Sequence, residues 1–275
     1  MDVKITFLVE NTAPAPGWQG EYGFSALVEV DDKKFLFDTG SADALFKNTE
    51  LAGINLKDID GNIISHGHFD HTGGLLRALQ IAENKTVYAH SNVFADRYAS
   101  AGNYHRQIGS LASREDIEKC GGKLIFTDNF TEISPNIYIT GAIPRLNNFE
   151  DVGGNFKVKI DGSYIDDMLE DDIALVIDHP DGLIVISGCA HAGIINILEY
   201  VRKKMDNKKI LAFLGGTHLM AANENRIEQT IYHLEKLDVK QLVVAHCTGF
   251  YAAAKLYNSL GNKVIKGETG MCFVY

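Results

Sequence analysis

The sequence has no excess of positive charge, no cysteine framework and no long apolar run, and each absence removes a class of protein. Lys and Arg number 26 against 36 Asp and Glu, a formal net charge of −10. A nucleic-acid-binding surface is normally basic, so nucleic acid is not the expected partner. A small anionic substrate would need its charge met locally, by metal or by a few placed Arg and Lys side chains. The four cysteines, Cys120, Cys189, Cys247 and Cys272, are scattered without CxxC spacing. Reduced thiols in the cytoplasm are therefore the expectation. No apolar run approaches the ~18 residues of a membrane span, so no membrane partner is expected. The segment Met1–Glu10 is too short and too interrupted by charge for a signal peptide and reads as a strand. There is no internal repeat and no low-complexity tract. Whether the chain forms a homo-oligomer is open at this level.

What is present is a chain of 275 residues, 45% hydrophobic, enough for a substantial core. The expectation is one domain over residues 1–275 with an elaboration around 147–172, a stretch rich in Gly, Asn, Asp and Glu. Apolar segments at Ile5–Val9, Phe24–Val30 and Lys34–Phe37 read as strands, the last two joined by a hairpin at Asp31-Asp32. Asn11–Gly23 is a loop. Phe37-Asp38-Thr39-Gly40 ends the third strand, and Asp38 either caps the following helix or points back at a metal-binding histidine. His90 ends a strand and reads as a histidine hydrogen-bonded at a sheet edge. The polar segment Ala99–Gly109 is expected to be a solvated loop, with a lid carrying positive groups as the alternative. Strands follow at Leu124–Phe126 and Ile137–Ile139, with a short one at Phe156–Ile160. In the second half, strands at Ile173–Ile177, Leu183–Ile186, Ile210–Leu214 and Gln241–Ala245 alternate with helices. His233 lies on one of those helices away from its apolar positions and is expected to be solvated.

The chemistry concentrates in Ser65-His66-Gly67-His68-Phe69-Asp70-His71-Thr72-Gly73-Gly74. Three histidines and an aspartate fall within six positions, where an apolar strand hands over to a helical pattern. Neutral imidazole and carboxylate are the ligand set of a zinc-like divalent ion, and manganese, iron or magnesium also occupy mixed sites of this kind. One catalytic metal takes about three protein ligands, so four on one turn suggest two metals with more ligands from elsewhere. Those ligands have a signature. Strand ends at His66/His68, His191, His218 and His246 all set histidine beside glycine or a small residue, and strand ends of layered α/β folds gather on one edge. Cys189 stands two residues before His191, as a soft bridging ligand or as a small buried residue.

His66-x-His68-x-Asp70-His71, with its preceding strand, following helix and upstream Phe37–Gly40, resembles the signature of the metallo-β-lactamase superfamily. The resemblance covers essentially the whole chain. It implies an α/β fold, an αββα sandwich of two mixed sheets flanked by helices, with a dinuclear centre. It further implies His66, His68 and His191 on one metal, Asp70, His71 and His246 on the second, and Asp38 behind them. Asp70 would help orient the attacking group and His218 would face substrate, stabilising an oxyanion or donating to the leaving group. Ser187–Ile194, Gly215–Leu219 and His246–Gly249 resemble a narrower group containing the dihydropterin-6-ylmethyl-(ribofuranosyl)aminobenzene 5′-phosphate synthases of methanopterin biosynthesis. That implies transfer of a pterin-methyl group with diphosphate release. The alternative is hydrolysis of a phosphoester, lactone or other small anionic substrate by water whose pKa two metals lower toward ~7. Helix N-termini beginning at Gly73 and near Ala192 are expected to suit an anionic group.

Overall fold

A computed structural model describes residues 1–275. Alternation of apolar segments with turn residues gives eighteen strands and seven α-helices. The chain opens with β1 (Val3–Val9), β2 (Ser25–Val30), β3 (Lys33–Phe37), α1 (Ala44–Leu51) and β4 (Gly61–Ile63). After the histidine cluster come α2 (Phe69–Thr72), α3 (Leu75–Ile81), β5 (Thr86–Ala89), β6 (Arg97–Ala101) and β7 (Tyr104–Gln107). Then follow α4 (Arg114–Lys119), β8 (Lys123–Phe126), β9 (Thr131–Ser134), β10 (Ile137–Ile139), β11 (Phe156–Ile160) and β12 (Ser163–Asp166). The second half holds β13 (Ala174–His179), β14 (Gly182–Ser187), α5 (Ile194–Lys204), β15 (Ile210–Gly216), α6 (Glu224–Leu237) and β16 (Gln241–Ala245). It closes with α7 (Phe250–Leu260), β17 (Val264–Lys266) and β18 (Cys272–Val274). The α/β class with mixed sheets and helices is the one expected from the sequence.

The chain divides into two compact units, one of Met1–Phe126, Phe156–Asp167 and Glu268–Tyr275, the other of Thr127–Asn155 and Met168–Gly267. In the first, a seven-stranded sheet runs β18-β1-β2-β3-β4-β5-β8. β3, β4, β5 and β8 pair in parallel, so the C-terminal ends of β3, β4 and β5 share an edge, and Asp38, His66 and His90 follow them. In the second unit the order is β17-β16-β15-β14-β13-β10-β9. β14 to β17 are parallel, so β14, β15 and β16 deliver His191, His218 and His246 to one edge of that sheet. β14 is buried along its whole length, as a strand covered on both faces must be. α5 buries Ile194, Ile195, Ile197, Leu198 and Val201 in the core of this unit, each apolar side chain stabilising by about 1.5–3 kcal/mol. Its exposed end carries Arg202, Lys203 and Lys204, where cations suit the helix dipole. No helix is long and apolar enough to cross a membrane.

The segment Ala99–Gly109 departs from expectation. It is not a solvated loop but most of a β-hairpin, β6–β7, which joins β11 and β12 in a four-stranded antiparallel sheet of the first unit. The short strand expected at Phe156–Ile160 is present and is what recruits the hairpin. Arg97, at the start of β6, is only 2% exposed, and its Nε donates to Asp167 Oδ2 at 2.7 Å. Asp167→Ala would take that carboxylate away from a guanidinium only 2% exposed. Equilibrium urea unfolding should show a loss of about 3–5 kcal/mol; a loss under 1 kcal/mol would mean the pair is dispensable.

Candidate metal-binding residues

Asp38 organises the candidate ligands of the first unit. It leaves β3 with φ of 56°, a left-handed conformation that costs energy for a non-glycine residue and recurs at functional sites. It does not cap α1. That role falls to Glu21, whose carboxylate accepts the N–H groups of Ser41, Ala42 and Ala44 at 2.9, 2.8 and 3.1 Å. The completely buried Asp38 carboxylate turns instead toward the histidines. Its Oδ1 accepts the Ser65 N–H and its Oδ2 accepts the Ser65 hydroxyl, both at 2.7 Å. Oδ2 also lies 2.7 Å from His71 Nδ1. A carboxylate can only accept, so His71 carries its proton on Nδ1 and presents the Nε2 lone pair. Ser65 spends its proton on Asp38, so the 2.9 Å contact from Ser65 Oγ to His66 Nδ1 makes His66 the donor there. His66 Nε2 is then a lone pair as well.

These tautomers fit metal ligation. His66 Nε2 and His68 Nδ1 face each other at 3.0 Å, close to the roughly 3.3 Å between two nitrogens on a tetrahedral zinc with Zn–N near 2.0–2.1 Å. His66 and His71 rings lie 4.2 Å apart, and His71 Nε2 is 3.8 Å from Asp70 Oδ2. The first unit therefore gathers His66, His68, Asp70 and His71, all buried. Asp38→Asn would set an amide N–H₂ against groups that must donate. Metal affinity should fall about 10–100-fold in a competitive chelator titration; unchanged affinity would remove Asp38 from this role.

In the second unit, Ala190, His218 and His246 each have positive φ, 58°, 47° and 49°, at the ends of β14, β15 and β16. His191 is fully buried, and its Nδ1 donates to the Val152 carbonyl at 2.8 Å, which makes Nε2 its candidate ligand atom. His191 and His218 rings are 4.2 Å apart. The ligand atoms of Cys189, His218 and Cys247 all lie within 4.8 Å of one another, and Cys247 Sγ approaches the Cys189 carbonyl at 3.4 Å. Burial opposes ionisation of Cys247, but hydrogen bonding with Cys189 and the His218 imidazole outweigh it and hold the thiol well below its ordinary range. His246 is buried at the end of β16. Nitrogen- and sulfur-rich donors of this kind suit zinc.

The loop carrying His191 is fixed by groups that sequence reasoning passed over. Arg145 Nη1 donates to the His191 carbonyl at 2.7 Å. Asp172 accepts the Ala192 N–H at 2.7 Å, and complete burial pushes its carboxyl up to about 7. Glu150 accepts the N–H groups of Ile195 and Asn196, both at 2.9 Å. The N-terminus of α5 therefore holds an internal carboxylate and does not await an anionic ligand. The same correction applies at Gly73, whose N–H is bonded to Gly40 O at 2.9 Å, and whose flanking helices are single-turn α2 and seven-residue α3. His90 Nδ1 accepts the Asn92 N–H at 3.1 Å, capping a short 3₁₀ turn. His233 is not merely solvated, since its ring stacks on Phe149 at 5.1 Å.

Comparison with known proteins gives a consistent result. A family model described as the metallo-beta-lactamase superfamily matches residues 18–209. The chain is 37% identical over 265 residues to a 7,8-dihydropterin-6-methyl-4-(beta-D-ribofuranosyl)-aminobenzene-5′-phosphate synthase of Methanocaldococcus jannaschii, covering 91% of this chain and 89% of that one. It is 32% identical over 268 residues to an uncharacterized protein of the same organism, covering 97% and 98%. A crystal structure of a metal-dependent hydrolase of the beta-lactamase superfamily superposes with a TM-score of 0.84 at 30% identity, covering 98% of each chain.

Proposed function

This chain belongs to the metallo-beta-lactamase superfamily, and from that premise we propose that it transfers a pterin-methyl group to an arylamine with release of diphosphate. The observation that carries the reading is the 37% identity, over 91% of the chain, to a relative named as that synthase. In this reading His66, His68 and His191 hold one divalent ion and Asp70, His71 and His246 a second, zinc being the ion their donors suit best. When bound, such ions neutralise the charge of an anionic leaving group.

The chain's own residues do the rest. Asp38 keeps His71 in its ligating tautomer directly and His66 through Ser65. His218 donates a hydrogen bond to the departing diphosphate. In the reaction the arylamine nitrogen forms a bond to the pterin methylene carbon. The carbon–oxygen bond to diphosphate breaks, its electron pair leaving on oxygen, and the nitrogen gives up a proton. The substrate is a small anion, and Cys189 and Cys247 are buried and form no disulfide, which suits a reducing cytoplasm.

A second reading, metal-dependent hydrolysis of a small anionic ester, is favoured by the likeness to the metal-dependent hydrolase. Incubating the metal-loaded protein with dihydropterin-6-ylmethyl diphosphate and the aminobenzene ribotide separates the two. Diphosphate appearing only when both are present supports the synthase. Diphosphate or phosphate appearing without the amine, or cleavage of a simple phosphodiester or lactone, supports the hydrolase.

A further inference from the structure

The metal-ligand motif is built into the wall of a cleft. Phe69 stands between His68 and Asp70, each about 3.8 Å away along the backbone. Its N–H bonds to Ile108 O at 2.9 Å, and His68 pairs with Gly109 as an isolated antiparallel bridge. These contacts lock the start of α2 against the chain leaving β7. The space above the junction, about 480 Å³, is lined by Phe69, Arg106, Gln107, Gly109, Ser110 and Leu111. That volume is within the range of small-molecule sites.

Its chemistry is two-sided. Phe69 is partly exposed, and its ring stacks with that of Tyr22 at 6.4 Å and 21°, so the floor is a double aromatic layer. Leu111 is 65% exposed, an apolar side chain with no core to fill. Arg106 projects from β7, is exposed and enters no ion pair. In a chain of net charge −10, an arginine left unmatched beside an aromatic floor is a placed cation. Gln107, its neighbour, is tied to Asp96 at 3.3 Å. The Ser110 hydroxyl is oriented by its 2.8 Å bond to Ala112 O.

We propose that this cleft is a subsite for an aromatic molecule bearing a phosphate, the ring lying on Phe69 and Leu111 and the phosphate on the Arg106 guanidinium. Arginine matches phosphate with a planar fork of donors, and an aromatic face takes a planar ring by stacking. Because Phe69 is contiguous with His68 and Asp70, a ligand seated here has its other end toward the proposed metal ligands. Under the synthase reading, on which its identity but not its binding rests, the occupant is the phosphorylated arylamine.

The test is calorimetric titration of the metal-loaded protein with phenylphosphonate, an aryl anion with no hydrolysable ester, beside phenol and inorganic phosphate. Phenylphosphonate should bind more tightly than either comparator. Arg106→Ala should weaken it about 10-fold and leave phenol unchanged, while Arg106→Lys restores part of the loss. Arg114→Ala removes an equal charge from α4 outside the cleft and should leave the Kd within twofold. Equal binding by wild type and Arg106→Ala, or an equal loss in Arg114→Ala, would overturn the proposal. If Arg106-dependent binding is found but no diphosphate is released from the synthase substrates, the cleft stands and the synthase reading falls. Diphosphate release with Arg106-independent binding overturns the cleft and leaves the synthase reading in place.

Discussion

His68→Ala should lower turnover at least about a thousandfold, the scale on which several kcal/mol of lost transition-state stabilisation appears. What makes the expectation sharp is that fold and chemistry separate at this residue. The structural work of His68 is done by its backbone. Its carbonyl accepts the N–H groups of His71 and Thr72 and the Thr72 hydroxyl, at 3.1, 3.1 and 3.0 Å, and its extended φ and ψ of −90° and 150° start α2. Alanine keeps all of that. The imidazole, by contrast, is spent on facing His66 Nε2 and packing 5.4 Å from Phe156. Elemental analysis should show less than a full complement of metal, with circular dichroism unchanged. Turnover within tenfold of wild type would sink the metal mechanism altogether.

Gly67→Ala should cost about 3 kcal/mol or more, a fall in Tm of roughly 6–12 °C. Here the glycine between the two histidines is fixed by its neighbours. A Cβ on Gly67 would sit 1.8 Å from the Val93 carbonyl oxygen and 2.6 Å from Arg97 Nη1. The first is backbone and the second belongs to a guanidinium already committed to Asp167, so neither yields cheaply. If Gly67 shifts instead, it moves within the His66–His68 step whose ring nitrogens face each other at 3.0 Å, and metal content should fall with stability. A thermal scan placing Gly67→Ala within 2 °C of wild type would show that the backbone here has slack. The glycine is thus a packing requirement of the close approach of two loops.

Part of this was legible in the sequence and part was not, for physical reasons. Histidines at the ends of apolar strands stand out because few polar residues belong there, so His66, His68, His191, His218 and His246 are conspicuous in the sequence alone. The strands bearing them, such as Leu183–Ile186 and Ile210–Leu214, are continuous apolar runs that admit few other readings. The β6–β7 hairpin reads as a solvated loop over Ala99–Gly109 because its two strands present mostly polar or small residues on both faces, and strand pattern needs one buried face to show. Glu150 and Asp172 were passed over because each acts on a backbone N–H at long range, Glu150 across 45 residues to Ile195 and Asp172 across 20 to Ala192. A helix that lacks a capping side chain of its own was the available signal. α5 has Gly193 at its N-cap, a residue with no side chain to offer, so its first N–H groups had to find an acceptor elsewhere, and an acidic residue in a polar stretch was the candidate.

The place of β18 in the first unit has a consequence for biosynthesis. Residues Glu268–Tyr275 belong with Met1–Phe126. β18 pairs with β1, and Thr269 donates to Glu10 O at 3.1 Å. At ~5–20 residues per second, translation takes on the order of ten seconds to pass from Phe126 to Glu268. Throughout that interval the nascent chain emerges with β1 as an open edge, a template for unwanted pairing with other chains. Chains stalled on the ribosome at Gly267 should therefore be protease-sensitive in residues 1–126 and dependent on chaperones, whereas release of eight more residues should confer protection. Equal protection at both lengths would mean that the edge is shielded by other means.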